Sequence, residues 1–157
     1  MLGRRGILLT RHREQVPANL PPGVIHADFA PFSELLPRCA ALVHHGGIGT
    51  SSQGLAAGIP QLVMPHAHDQ PDNAARMVKL GVAKKLEPRQ FKPKRVAREM
   101  NELLQSQEVA RCCKEVAARF VGLDPLEETC DLIEEVAEQN GSPRRHGSTE
   151  APVKMVN

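Results

Sequence analysis

Residues 40–64 read AALVHHGGIGTSSQGLAAGIPQLVM, and this stretch decides how the chain folds. A short apolar run leads into Gly-Gly-Ile-Gly, and a helix is predicted over Thr50–Ala57, with Thr50 and Gln53 at the spacing of a capping box. A Gly-Ile-Pro sequence then stops the helix, and a second apolar run follows at Gln61–Met64. The order strand, glycine turn, helix, strand predicts a parallel βαβ unit.

The same alternation of strand and helix signals extends over residues 1–90. The predicted strands are Gly6–Thr10, Val24–Ala27, Ala40–His44, Gln61–Met64 and Val82–Leu86. The predicted helices between them are Ser33–Cys39, Thr50–Ala57 and Asp72–Leu80. Each strand run is apolar almost throughout, which is typical of parallel strands buried on both faces. We therefore predict an α/β fold with a doubly wound parallel sheet.

The chain beyond Pro93 is predicted to be helical, with three amphipathic helices that each bury one face. Their apolar stripes are Val96, Met100, Leu103 and Leu104; Val109, Cys112, Val116 and Phe120; and Leu126, Cys130, Ile133 and Val136. Residues 140–157 combine Gly, Pro, Ser and charge without periodicity. We therefore predict a disordered tail over residues 140–157 and a single domain over residues 1–139.

Composition argues against nucleic-acid and membrane partners. The net charge is +2, from 20 basic and 18 acidic residues among 157, and the four phenylalanines are accompanied by neither Trp nor Tyr. The chain thus lacks both a strong electrostatic field and the stacking platforms of a single-strand nucleic-acid binder. No run approaches the roughly 20 apolar residues of a membrane span, and no signal peptide is recognisable. The four cysteines lack metal-binding spacing, so reduced thiols and a cytoplasmic protein are expected.

The glycine turn is the strongest candidate for a binding site. Gly46, Gly47 and Gly49 remove side chains just where a helix offers unpaired N–H groups and a partial positive charge, so a diphosphate is a natural ligand. His45 can donate a hydrogen bond to a phosphate oxygen, and Thr50 can add a hydroxyl. The alternative is a tight turn whose glycines only permit close packing. The pattern is neither the Gly-x-Gly-x-x-Gly fingerprint nor a Walker sequence.

The stretch FAPFSELLPRCAALVHHGGIGTSSQGLAAGIPQLVMPHAHDQPDNAARMVKLGV, residues 29–82, resembles the C-terminal, donor-binding half of glycosyltransferase family 1. The resemblance runs from about Val24 to Leu86 and is specific in the order and spacing of its motifs. It implies a Rossmann-like GT-B half-domain that takes part in inverting transfer of a hexose from a UDP- or dTDP-sugar to an acceptor hydroxyl. It also implies that no metal ion is needed, which argues against a metal site at His44, His45, His66 and His68.

The resemblance implies a set of donor-binding residues that runs from the nucleotide base to the sugar. In that direction they are Phe29 and Phe32 at the base, Gln53 at the ribose, His45, Gly46, Gly47, Gly49 and Thr50 at the diphosphate, and Asp69 and Gln70 at the sugar hydroxyls. Gln53 replaces the glutamate usual in the family, so a role in ribose binding and a role in capping the helix both stay open. Phe32 replaces a frequent glutamine, so it would contact the base through main-chain atoms.

The family's donor half opens with a strand, a Gly-Ser turn and a helix that have no counterpart before Gly6–Thr10. In the 3-2-1-4-5-6 strand order that first strand is central, so we expect a truncated domain. The acceptor base of the family lies in its N-terminal domain, and we therefore assign no catalytic residue here. The expected partners are a nucleotide sugar, an acceptor-binding domain or partner chain, and a second copy of this chain. Two alternatives are a subunit that needs a separate acceptor-domain partner and a non-catalytic or regulatory nucleotide-sugar-binding module.

Overall fold

Five short strands, six α-helices and three short 3-10 helices make up the regular structure in a computed structural model, which describes residues 3–122 and 124–139. The strands are β1 (Gly6–Leu9), β2 (Val24–Ala27), β3 (Leu42–His44), β4 (Gln61–Val63) and β5 (Ala83–Lys85). The helices are α1 (Phe32–Leu35), α2 (Ile48–Ala56), α3 (Gln70–Lys79), α4 (Pro93–Gln105), α5 (Gln107–Ala118) and α6 (Pro125–Gln139). Every predicted strand is found, with its ends shortened by up to two residues.

All strand pairs are parallel, as predicted, but they form two sheets rather than one. β1 pairs with β2, with Ile7 opposite Ile25. β4 lies between β3 and β5, with Leu62 opposite Val43 on one side and Lys84 on the other. Among the described residues, β1 and β3 do not pair with each other, so the break between the two sheets falls between these strands.

Helices pack on both faces of the β3–β4–β5 sheet. Successive side chains of a strand point to opposite faces, so neighbouring residues of β4 pack against different helices. Leu62 packs with Leu86 and with Leu103 of α4, and all three are buried. Its neighbour Val63 packs on the other face with Met77 of α3 and Val116 of α5. This arrangement confirms the predicted doubly wound α/β fold.

The prediction that every strand is buried on both faces is wrong for four of the five strands that the structure describes. β4 is completely buried, whereas Lys85 of β5 is exposed. Ile7 of β1 is 45% exposed, Ile25 of β2 is 60% exposed and Val43 of β3 is 44% exposed. α4 packs on β4 and β5, whereas Val43 of the neighbouring strand β3 stays largely exposed, so an apolar strand sequence alone does not indicate a covering layer.

The described part of the chain divides into two units after Val121, and α6 belongs to the second. α6 is helical as predicted, but the buried face expected for it is not found. Leu126, Leu132, Ile133 and Val136 are between 56% and 77% exposed. The tail predicted over residues 140–157 lies outside the described residues. Among the helices that the structure describes, none is long and apolar enough to cross a membrane.

Candidate functional site

The turn between β3 and α2 forms the centre of the candidate site. α2 begins at Ile48, with Gly47 as its N-cap in an extended conformation (φ −62°, ψ 140°) and without a side-chain cap. Thr50 therefore lies inside the first turn of the helix, and the capping box predicted for Thr50 and Gln53 is wrong. Gln53 instead points its amide nitrogen at the carbonyl oxygen of Gly49, at 3.4 Å. Glycine has no side chain that could accept from the N–H groups of the first turn, so these groups remain available to a ligand.

The glycines of this turn have different physical roles. Gly46 has φ +96°, and a Cβ there would lie 2.9 Å from Val63 Cγ1, so close packing and backbone conformation both require glycine. A Cβ on Gly47 would lie 2.7 Å from His45 Nε2, so this glycine makes room for the exposed imidazole ring. A Cβ on Gly49 would meet nothing within 4 Å. Close packing therefore requires glycine at residue 46 but not at residue 49, and at residue 47 the contact is with the far end of an exposed side chain that can turn away.

The first turn of α2 presents backbone N–H groups without intrahelical partners. Ser51 is the first residue of this helix whose N–H reaches a turn carbonyl, that of Gly47 at 2.9 Å. The N–H groups of Ile48, Gly49 and Thr50 precede that bond and emerge at the helix end. Together with the partial positive charge of the helix N-terminus, they can bind an anion such as a phosphate.

His44 and Gln61 fix the turn from the core side, a role that the sequence analysis missed. The ring of His44 accepts a hydrogen bond from Gly46 N at Nδ1 (3.1 Å), and its Nε2 lies 2.8 Å from Gln61 Oε1. Burial lowers the pKa of His44 to about 4, the Gln61 bond opposes that shift, and the nearby His45 adds to it. One signal was present in the sequence, since a polar residue ends one apolar run at His44 and another begins the next at Gln61.

The loop after β4 places Asp69 beside the glycine turn through Asn73, another residue that the sequence analysis missed. Asn73 Nδ2 donates to Asp69 Oδ2 at 2.7 Å and to the carbonyl oxygen of Gly46 at 2.9 Å. Asp69 lies at the N-terminal end of α3 and is exposed. The i, i+4 spacing of Asp69 and Asn73 on a helix could have indicated their contact. The link from Asn73 to Gly46, across 27 residues, could not be read from that spacing.

Gln70 is held in this loop by its own side chain. Its Oε1 accepts from the backbone N–H groups of His66 (2.9 Å) and Ala67 (3.3 Å). His68, within the same loop, has φ +58°, a left-handed conformation that is uncommon for a residue with a side chain. With its oxygen occupied in this way, Gln70 can contribute its amide N–H groups to a ligand.

The residues predicted for the nucleotide base, Phe29 and Phe32, and the residue predicted for the ribose, Gln53, lie at two places. Phe32 of α1 and Gln53 of α2 line the same open cavity of about 280 Å³. Phe29 follows β2 in the other sheet and is 66% exposed, with the Arg11 guanidinium carbon 5.7 Å from its ring centroid. Among residues 3–122 and 124–139, no group of three or more His, Cys, Asp or Glu side chains is placed to hold a metal ion.

Sequence comparison relates most of the chain to sugar transferases. The family model "Erythromycin biosynthesis protein CIII-like, C-terminal domain" matches residues 6–134. O-mycaminosyltylonolide 6-deoxyallosyltransferase of Streptomyces fradiae is 32% identical over 136 residues, which are 86% of this chain and 32% of that protein. Aclacinomycin-T 2-deoxy-L-fucose transferase of Streptomyces galilaeus is 29% identical over 127 residues, which are 80% of this chain and 29% of that protein. This chain thus spans about a third of the length of these relatives.

Comparison with solved structures gives the same result. Glycosyltransferase VinC in complex with DTDP superimposes with a TM-score of 0.73 and 27% identity, over 87% of this chain and 42% of VinC. The glycotransferase of kitacinnamycin superimposes with a TM-score of 0.73 and 29% identity, over 82% of this chain and 34% of that protein. The relatives and structural neighbours are family 1 glycosyltransferases of the GT-B fold, and this chain belongs to the erythromycin biosynthesis protein CIII-like, C-terminal domain family.

Proposed function

We propose that this chain is the donor-binding half of an inverting glycosyltransferase that moves a hexose from a UDP- or dTDP-sugar to an acceptor hydroxyl. The observation that carries the proposal is the Asn73 side chain, which joins the glycine turn at Gly46 to the carboxylate of Asp69. A turn suited to phosphate and a carboxylate suited to sugar hydroxyls are thereby held side by side. In a nucleotide sugar, the diphosphate and the sugar likewise lie next to each other.

The diphosphate would lie at the start of α2. Three features of this position favour binding of phosphate oxygens. They are the N–H groups of the first turn, the open space at Gly49 and the exposed ring of His45. During transfer the diphosphate leaves with the electrons of the glycosidic bond, so its negative charge grows. Preorganised donors at this position stabilise that developing charge, which is how the donor half contributes to the rate.

The sugar would lie against Asp69 and Gln70. Asn73 occupies one side of the Asp69 carboxylate at Oδ2, and the remaining lone pairs can accept from two vicinal hydroxyls. The Gln70 oxygen is bonded to the loop backbone, so Gln70 would donate from its amide nitrogen to a hydroxyl oxygen. The pair thus offers an acceptor and a donor, which is what a row of hydroxyl groups needs.

The nucleoside would lie toward Gln53 and the phenylalanines. Gln53 uses its amide nitrogen on the Gly49 carbonyl, so its oxygen is the group available to accept from the ribose hydroxyls. Phe32 shares the neighbouring cavity and Phe29 offers an exposed ring to the base. The DTDP bound by VinC supports a pyrimidine nucleoside diphosphate as the ligand.

The acceptor base would come from an acceptor-binding domain or a partner chain, and no metal ion would take part. The relatives are about three times as long as the aligned region, which supports a role for further protein in the complete reaction. A chain of this kind that binds donor without transferring it would instead be a non-catalytic nucleotide-sugar-binding module. Donor binding is common to both functions, and transfer in the presence of the acceptor domain separates them.

Titration calorimetry with UDP, dTDP and the corresponding UDP- and dTDP-hexoses tests the proposal. We expect binding by the wild-type protein and a loss of about tenfold or more in affinity for His45→Ala, because a charge-assisted hydrogen bond is removed. Lys114→Ala, on the exposed surface of α5, is the matched control and should bind as the wild type does. No binding at millimolar nucleotide, or equal affinity of His45→Ala and wild type, would refute the donor site.

A further inference from the structure

We propose that His44 is a positioning residue that holds the glycine turn in its ligand-binding shape, as a neutral imidazole with its proton on Nε2. The proposal rests on the proposed function for the ligand of the turn. It concerns a side chain that lies behind the turn and does not itself face that ligand.

The two hydrogen bonds of the ring determine where the proton lies. Gly46 N lies 3.1 Å from His44 Nδ1, and a backbone N–H can only donate, so Nδ1 must be unprotonated. A neutral imidazole then carries its proton on Nε2, which donates to Gln61 Oε1 at 2.8 Å. The two contacts require the same tautomer.

Gln61 is itself fixed, so it can hold the ring. It is the first residue of β4 and is fully buried. Its amide nitrogen lies 3.5 Å from the Ser51 carbonyl oxygen of α2, a long contact that points its oxygen toward His44. A Cβ on Gly54 would lie 2.7 Å from the amide, so α2 approaches Gln61 closely only because residue 54 is glycine. The amide is therefore confined between a central strand and the helix of the site.

His44 in turn determines the direction of the Gly46 peptides. The N–H of Gly46 is bonded to His44 and its carbonyl to Asn73, so the residue with φ +96° is held at both ends. The next peptides lead directly into the N–H groups that open α2. An imidazolium would present an N–H at Nδ1 to the N–H of Gly46, and the turn would have to change its shape.

The surroundings keep the ring neutral at physiological pH. Burial disfavours the charged form of His44, and electrostatic repulsion from the adjacent residue, His45, disfavours it further. Gln61 faces the ring from β4 as a neutral amide and favours the charged form more weakly. The ring centroids of His44 and His45 are 6.5 Å apart.

A pair of substitutions separates the two nitrogens. In His44→Asn the side-chain oxygen can occupy the place of Nδ1 and accept from Gly46, whereas His44→Gln reaches the place of Nε2 and contacts Gln61. We expect dTDP or UDP affinity within about threefold of wild type for His44→Asn, and a loss of about tenfold or more for His44→Gln. Equal affinities of the two variants, with both folded by circular dichroism, would overturn the positioning role.

The tautomer is tested on the wild-type protein without nucleotide. Long-range ¹H–¹⁵N correlation spectra of the uniformly ¹⁵N-labelled chain at neutral pH should show a protonated Nε2 and an unprotonated Nδ1 for His44, assigned by comparison with His44→Asn. A proton on Nδ1 would overturn this inference alone. Failure of the wild-type protein to bind nucleotide, with the expected tautomer present, would instead count against the proposed function.

Discussion

Asn73 donates a hydrogen bond of 2.7 Å to Asp69, one helical turn earlier, and the same nitrogen reaches the carbonyl oxygen of Gly46 at 2.9 Å. An amide nitrogen carries two protons, and this geometry uses both. The orientation of the Asp69 carboxylate is therefore tied to the glycine turn. Any ligand that touches both groups meets one preassembled surface.

Replacing Asn73 by Asp should weaken binding of the sugar more than binding of the nucleotide. The new carboxylate would face the Asp69 carboxylate and the Gly46 carbonyl, so two attractive contacts become repulsive. We expect the affinity for a UDP- or dTDP-hexose to fall by about tenfold or more relative to the affinity for UDP or dTDP, measured by calorimetry. Asp72→Asn, which removes an exposed ion pair with Arg76, is the control and should change neither affinity. Equal losses for nucleotide and nucleotide sugar would contradict the prediction.

Two glycines of the same turn should respond differently to alanine. Gly46→Ala introduces a side chain at positive φ and against Val63, and should destabilise the fold by about 2 to 4 kcal/mol. Gly49→Ala lies in the first turn of α2 with open space around it and should leave the stability unchanged or raise it by up to about 1 kcal/mol. Urea unfolding followed by circular dichroism measures both. A Gly46→Ala variant as stable as wild type would show that the turn can adopt another conformation.

Stability should fall in mild acid because of His44. Its pKa is lowered from the usual 6.5 to about 4, so between these values the unfolded chain binds more protons than the native one. The contribution is therefore complete above about pH 6.5 and is lost as the pH falls toward 4, by no more than about 3 kcal/mol. The free energy of unfolding, measured by urea titration from pH 4 to pH 8, should depend less on pH in His44→Gln than in wild type. Parallel curves for the two proteins would contradict this prediction.

Glu99 should matter more for stability than its neighbour Glu102. The Glu99 side chain is 10% exposed and pairs with Lys84, Arg95 and Arg98 at 2.8 to 2.9 Å, and bonds from Arg98 and Lys84 lower its pKa to about 2. Glu99→Gln should cost about 1 to 3 kcal/mol at pH 7. The contribution of this carboxylate is present above its usual pKa of 4.5 and disappears as the pH falls toward 2.

Glu102→Gln is the matched control for Glu99, because Glu102 also contacts Lys84 but its side chain is 50% exposed. Its replacement should cost less than about 1 kcal/mol. Thermal and urea unfolding of the two variants at pH 7 gives the comparison. Similar losses for both variants would show that burial does not decide the strength of this network.

The sequence by itself determined the α/β alternation and the position of the glycine turn. Apolar runs such as Gln61–Met64 and the Gly-Ile-Pro stop are signals that act within a few residues, and they mark elements independently of their neighbours. The same local character explains the errors. The Thr50–Gln53 spacing suits a capping box, but Gly47 takes the N-cap position. The apolar sequence of β2 does not indicate whether another layer of the structure covers Ile25, which is exposed.

Only the tertiary structure decided how the candidate site is held together. The bond from His44 to Gln61 spans 17 residues and the bond from Asn73 to Gly46 spans 27, and both depend on β3 and β4 lying side by side in one register. Parallel pairing brings the carboxyl ends of the two strands to the same edge, where the glycine turn and the Asp69 loop meet. The residue types of the site could be read from the sequence. Their tautomers, hydrogen-bond partners and exposures follow from packing between segments that are distant along the chain.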